Sequence, residues 1–164
     1  LERIDTPRSG GLGRQVFAVV ESPARPGIPS ARSTTGCVHL ELGGDWQRFE
    51  KASALSAWLG LIPSLKQSGE TSRQGAITKT GSGLARRLLV ESAWHYTRQP
   101  RIGATLKNRQ EGQPAHVLQI SNRAQQRLYR VHTKMRTKGK PGNVIVVACA
   151  RELACFLWAA ATAD

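Results

Sequence analysis

Ser68 lies in the segment Gly60-Leu61-Ile62-Pro63-Ser64-Leu65-Lys66-Gln67-Ser68-Gly69-Glu70, with Lys66, Arg73 and Lys79 close to it in sequence. A serine hydroxyl that attacks phosphorus needs cations to hold the phosphate in line and to stabilise the charge developing on its oxygens. Those residue types fit chemistry on a phosphodiester. The pair Ser68-Gly69 equally suits an ordinary turn in which the hydroxyl reacts with nothing, and the local pattern leaves both open. His95 and Tyr96 follow a segment bearing Arg86 and Arg87; they are candidates for proton transfer, or simply packed helix residues. Gly81-Ser82-Gly83 has no preceding strand and no Gly-Lys-Ser/Thr, so it reads as a turn and helix N-cap rather than a nucleotide loop. Glu50, Glu70, Glu91, Glu111 and Glu152 are isolated, which argues against a two-metal nuclease site. The scattered His39, His95, His116 and His132 and the absence of a Cys-x-x-Cys pair give no metal site either.

The 164 residues carry 24 Lys and Arg against 11 Asp and Glu, a net charge of +13. A polyanionic partner is implied, because neutralising phosphates releases condensed counterions and drives binding. The first 45 residues hold five charges of each sign. The whole excess therefore sits in residues 46–164, where nucleic-acid binding is expected to map. Cys37, Cys149 and Cys155 are too few for a disulfide framework and fit a reducing, cytoplasmic setting. The apolar run Val144 to Ala161 carries Arg151 and Glu152 at its middle, so a buried helix is expected there, and no membrane partner. No basic segment followed by an apolar block opens the chain, and the missing initiator Met suggests a fragment.

These residues must be positioned by helices. The spacing predicts a helix capped by Asp45 with Phe49, Ala52, Leu55 and Leu59 on one side, ending at Gly60. A second should run from Gly83 to Thr97. Its Arg86 and Arg87 oppose the helix dipole unless an anion sits nearby. In a third, Val117, Ile120, Ala124, Leu128, Val131 and Met135 form the apolar face, while Arg123, Arg127, Arg130, Lys134 and Lys138 form a cationic stripe. In most proteins such a stripe is a solvated face; with so few acids to pair it, phosphate binding stands beside that reading. The breaker cluster Lys138-Gly139-Lys140-Pro141-Gly142 ends it, and Asn143 is the expected cap of the last helix. Trp46, Trp58, Trp94 and Trp158 suit core packing better than base stacking. The fold expected is mainly α, a compact bundle of three to four helices with a Gly/Ser-rich loop bearing Ser68 and at most a short hairpin near Ala76-Ile77. Residues 1–43, rich in Pro and Gly, are expected to be poorly ordered, and residues 44–164 to form the helical domain.

Several ordered motifs carry a resemblance: Gly44-Asp45-Trp46-Gln47-Arg48-Phe49, Leu59-Gly60-Leu61-Ile62-Pro63-Ser64, Ser68-Gly69-Glu70, Gln74 to Gly81, and Arg86 to Trp94. Together they resemble the C-terminal domain of transposases of the insertion sequence 110/116/902 family, and Gly139 to Val144 with Ala150 to Ala154 resembles that family's closing helix. The resemblance implies a DNA recombinase guided by a structured bridge RNA, oligomeric when full length, in a bacterial cytoplasm. It implies that Ser68 stands where the family's serine attacks DNA to form a phosphoserine link. Lys66, Arg73, Lys79, Arg86, Arg87, Arg123, Arg127, Arg130 and Lys134 are then the expected nucleic-acid contacts. The family's RuvC-like domain, whose acidic residues bind divalent metal such as Mg²⁺, is not in this sequence. The chain itself is therefore expected to bind no cofactor and to be inactive alone, as a truncated transposase. Arg3-Ile4-Asp5-Thr6 resembles the end of a family hairpin segment, whereas residues 7–43 resemble nothing in it and suggest a frameshifted or decayed gene. A non-catalytic nucleic-acid-binding domain, an inactive remnant, and a basic structural protein of a ribonucleoprotein remain the alternatives.

Overall fold

The computed structural model describes residues 31–68, 71–101 and 104–163. The elements are α1 (Ala31–Glu41), α2 (Ala52–Trp58), β1 (Pro63–Ser68), β2 (Thr71–Ile77), α3 (Gly83–Ala93), a 3₁₀ turn (Trp94–Thr97), α4 (Ala104–Gln110), α5 (Ala115–Thr137) and α6 (Gly142–Ala161). The chain is mainly helical with one two-stranded antiparallel sheet. The four expected helices are present, and α1 and α4 are additional.

α6 is the centre of the bundle. Its residues Ile145, Cys149, Leu153 and Leu157 recur every fourth position, and Val146, Ala150 and Ala154 run beside them, all buried. A stripe this wide lets one helix pack on several others, and α6 contacts α2, α3 and α5. By length and composition α6 could cross a membrane; here its buried face is a protein core with Leu55, Leu89 and Leu128. Cys149 is buried in that core, which pushes its thiol up to about 11. The other expected helix starts shift slightly. Asp45 Oδ1 accepts from the Arg48 N–H, a local turn, and α2 begins at Ala52. The N-cap of α6 is Pro141, while Asn143 Oδ1 accepts from the adjacent Val144 N–H.

α1 lies on the N-terminal side of the boundary expected at residue 44, yet it is packed: Val38 is fully buried and the Thr34 hydroxyl bonds Ser92 of α3 at 2.7 Å. Gly43 and Gly44, both at positive φ, end it by turning back on Leu40 and His39 carbonyls. Trp46 donates to His39 Nδ1 at 2.9 Å, and its carbonyl accepts from Trp158 of α6 at 3.1 Å, which anchors this corner. The rest of the segment expected to be poorly ordered, residues 1–30, lies outside the described residues.

The inner face of α5 differs from the predicted one. Val117, Ala124 and Leu128 are buried as expected, but Ser121, Gln125 and His132 are buried with them, while Ile120, Val131 and Met135 are half-buried. Burial, and second the Arg136 guanidinium, hold the His132 imidazole below its ordinary value of 6.5. The folded state thus disfavours the proton that the unfolded chain accepts, so its stabilising term is full above the unfolded pKa and is lost as pH falls through the folded one. Acidification from neutral pH to ~5 should lower the melting temperature more in wild type than in His132→Gln.

The base of the hairpin is fixed by two glycines. Gly60 and Gly81 have φ of 68° and 70°, and a Cβ on either would collide with backbone, of Thr80 and of Trp58 respectively. Gly81→Ala should cost more than the ~1–2 kcal/mol of left-handed backbone alone, whereas Gly43→Ala, at φ 65° with no atom near the added Cβ, should cost only that conformational part. Thermal melts of the two variants measure the steric difference.

Candidate nucleic-acid interface

The predicted loop is a hairpin. β1 pairs β2 through Pro63↔Ile77, Leu65↔Gln74, Lys66↔Arg73, Gln67↔Ser72 and Ser68↔Thr71, with a bulge between Pro63 and Leu65. Ser68 is the last residue of β1, at the tip, and the connecting Gly69 and Glu70 lie outside the described residues. Lys66 and Arg73 face each other in register, two positions from the Ser68–Thr71 pair. Directly opposed like charges destabilise a hairpin, and an anion between them would reverse the sign of that term.

The hairpin is seated on the end of α2. The Thr78 N–H donates to the Ile62 carbonyl at 2.9 Å and the Lys79 N–H to the Gly60 carbonyl at 3.1 Å. Lys79 itself adopts φ 58°, the left-handed region, and is exposed. Non-glycine residues in that region are held by their surroundings at a cost of ~1–3 kcal/mol. Arg86 supplies part of the hold: its Nη1 donates to the Leu59 carbonyl at 2.9 Å and the Thr80 carbonyl at 2.8 Å. Arg86 is thus a clamp between α2, the hairpin exit and α3, whose N-cap is Ser82, accepting from the Ala85 N–H. Ser82 fills the capping role expected of it.

The remaining expected contacts divide by what they touch. Arg87 pairs with Glu91 one turn along α3 at 2.8 Å, on an exposed surface, where such pairs contribute little. Arg127 makes a two-pronged pair with Glu152 of α6, the second contact at 2.9 Å. Arg123, Arg130 and Lys134 are exposed on α5 and, among the described residues, have no ion-pair partner. Spaced at 123, 130 and 134, they lie along one side of the helix with Arg127. A groove of about 1030 Å³ runs from the hairpin residues Gln74 to Ile77 to Arg127, Lys140 and Arg151. Its floor is apolar, with Val147 and Phe156 of α6. The structure thereby joins the hairpin to the stripe, a link no local pattern carried. Lys140 and Arg151 entered no sequence expectation as contacts; their placement depends on how α5 and α6 pack.

Among the described residues no group of three His, Cys, Asp or Glu side chains could hold a metal ion. Tyr96 is buried and His95 half-buried, each with an interaction inside the molecule.

Comparison with known proteins gives a consistent outcome. Residues 27–107 match the model of the transposase IS116/IS110/IS902 family. The match begins at residue 27, so residues 27–43, which the sequence reading set apart as unlike the family, are part of the matched domain. A protein of Sinorhizobium fredii named transposase y4qE is 42% identical over 118 residues, 72% of this chain and 30% of that protein. A protein of Pseudomonas aeruginosa named a family 20 transposase is 30% identical over 156 residues, 93% of this chain and 40% of that protein. The chain thus spans well under half the length of these relatives. No solved structure matches.

Proposed function

The chain belongs to the IS116/IS110/IS902 transposase family, and we propose that it is the helical, nucleic-acid-handling part of a DNA transposase in which Ser68 is the nucleophile. In that reaction Ser68 Oγ gives up its proton and bonds to phosphorus, the bond from phosphorus to the leaving deoxyribose oxygen breaks, and that oxygen takes up a proton, so that no proton is gained or lost overall. The product is a phosphoserine that holds one DNA end and keeps the ester for rejoining. Lys66 and Arg73 flank the attacked phosphate, Lys79 stands at the hairpin exit, and the α5 stripe carries the nucleic-acid backbone. DNA, a structured guide RNA and a second copy of the chain are the partners this reading calls for. Metal-dependent steps belong to polypeptide other than the described residues.

The observation that supports the reading most is the position of Ser68 at the tip of a cation-bearing hairpin inside the family-matched segment. A non-catalytic nucleic-acid-binding domain is the second reading, and the structural clamp made by Arg86, which occupies its guanidinium with two backbone carbonyls, favours it. The two separate in a trapping assay with the acidic domain of a relative supplied, together with Mg²⁺, guide RNA and labelled target DNA. Covalent protein–DNA adduct is expected; nucleic-acid binding without adduct would leave the second reading.

A further inference from the structure

A small pocket lies where α5 meets the 3₁₀ turn and the segment that follows it. It measures about 210 Å³ and is lined by Tyr96, Arg98, Pro100, Arg101 and Gln125, among others. Tyr96 and Gln125 are its buried members and Arg98, Gln99 and Arg101 its exposed ones, so both arginines sit on the rim. Gln125 is 3% exposed, and its Nε2 has no hydrogen-bond partner. A buried amide in that state costs roughly 1–3 kcal/mol, and a leucine at this position on the inner face of α5 would avoid the cost. Such a group is accounted for when a ligand completes it.

The chemistry around the amide narrows the ligand. At ~30 Å³ per water the pocket has room for about seven waters, enough for one planar ring system. It is smaller than the ~300–1,000 Å³ of pockets for larger molecules. The unpartnered atom is the amide donor, which suits an acceptor on a base edge such as adenine N7. Tyr96 and Pro100 offer ring surface, and two rim guanidiniums suit the phosphates on either side of an inserted base. We infer that this pocket captures one unstacked base of a single-stranded nucleic acid, with Gln125 reading its edge and Arg98 and Arg101 holding its backbone. The inference rests on the nucleic-acid-binding part of the function proposed above and adds a site distant in sequence from Ser68. RNA and DNA share the required chemistry.

The test uses the whole 164-residue chain with short adenine-containing single strands carrying a fluorescein at one end, one RNA and one DNA, and a duplex of the same sequence. Binding should raise the fluorescence anisotropy of the label, and the strand bound more tightly identifies the source. Gln125→Leu should weaken single-strand binding by about tenfold, leave duplex binding unchanged and not lower the melting temperature. Replacing Arg98 and Arg101 by Ala, both on the surface, should reduce the salt dependence of single-strand binding by a slope of about 1.4. Unchanged single-strand affinity in Gln125→Leu, an equal loss on duplex, or a lowered melting temperature would overturn the pocket, the last by giving the amide a structural role. Duplex binding with no single-strand binding would overturn the pocket and spare the proposed function. Failure to bind any of the three would overturn both.

Discussion

Ser68→Ala is expected to abolish the covalent adduct in the completed recombination reaction, a loss of at least ~10³-fold in trapped product, because removing the nucleophile of a covalent mechanism leaves nothing to form the ester. Binding should survive. Ser68 is the terminal residue of β1, two positions beyond the Lys66–Arg73 pair, and alanine there removes no charge. Denaturing gel analysis of labelled DNA scores the adduct, and a filter assay on the same protein scores binding. An adduct persisting in Ser68→Ala would exclude this serine, and Thr71→Ala, its cross-strand neighbour, is then the next variant. Lys66→Ala gives an independent check on the hairpin. If the opposed cations are kept for a phosphate, removing one should raise thermal stability by a few tenths of a kcal/mol while lowering affinity.

Much of this architecture was legible in the sequence because it is periodic. The α5 and α6 faces announce themselves through apolar residues at helical spacing, and Ser82 announces α3 as its cap. The hairpin was harder to see. Lys66-Gln67-Ser68 and Thr71-Ser72-Arg73 are polar on both faces, so no alternation marks them as strands. α1 escaped for a related reason: it buries Thr34 and Thr35 beside Val38, and a threonine bonded to a serine far along the chain does not look like core from its neighbours in sequence. The same limit governs the site. Arg86 has two carbonyl acceptors and Arg127 a carboxylate 25 residues away; neither partner is visible from composition, and both change what those arginines are free to do. Gln125 sat next to the predicted inner face as an ordinary polar residue, and only packing makes it a buried amide without a partner.

The division within the stripe yields the second large effect. Arg123, Arg130 and Lys134 are exposed and without ion-pair partners among the described residues, whereas Arg127 is held by Glu152. Each phosphate contact contributes ~0.9 to the slope of log K against log salt on duplex DNA, or about eightfold in affinity at 0.1 M. Replacing the three unpaired cations by Ala should therefore reduce the slope by about 2.7 and the affinity by several hundredfold. Arg127→Ala should do less, since its charge is already largely answered by Glu152. Glu152→Gln should do the opposite, releasing Arg127 and steepening the slope by up to ~0.9. Salt titrations of these variants on one duplex decide the matter. If all four cations contribute equally and Glu152→Gln changes nothing, the surface acts as diffuse charge. If the three-residue variant binds like wild type, the stripe is merely solvated and the nucleic acid must lie along the hairpin and the Lys140–Arg151 groove instead.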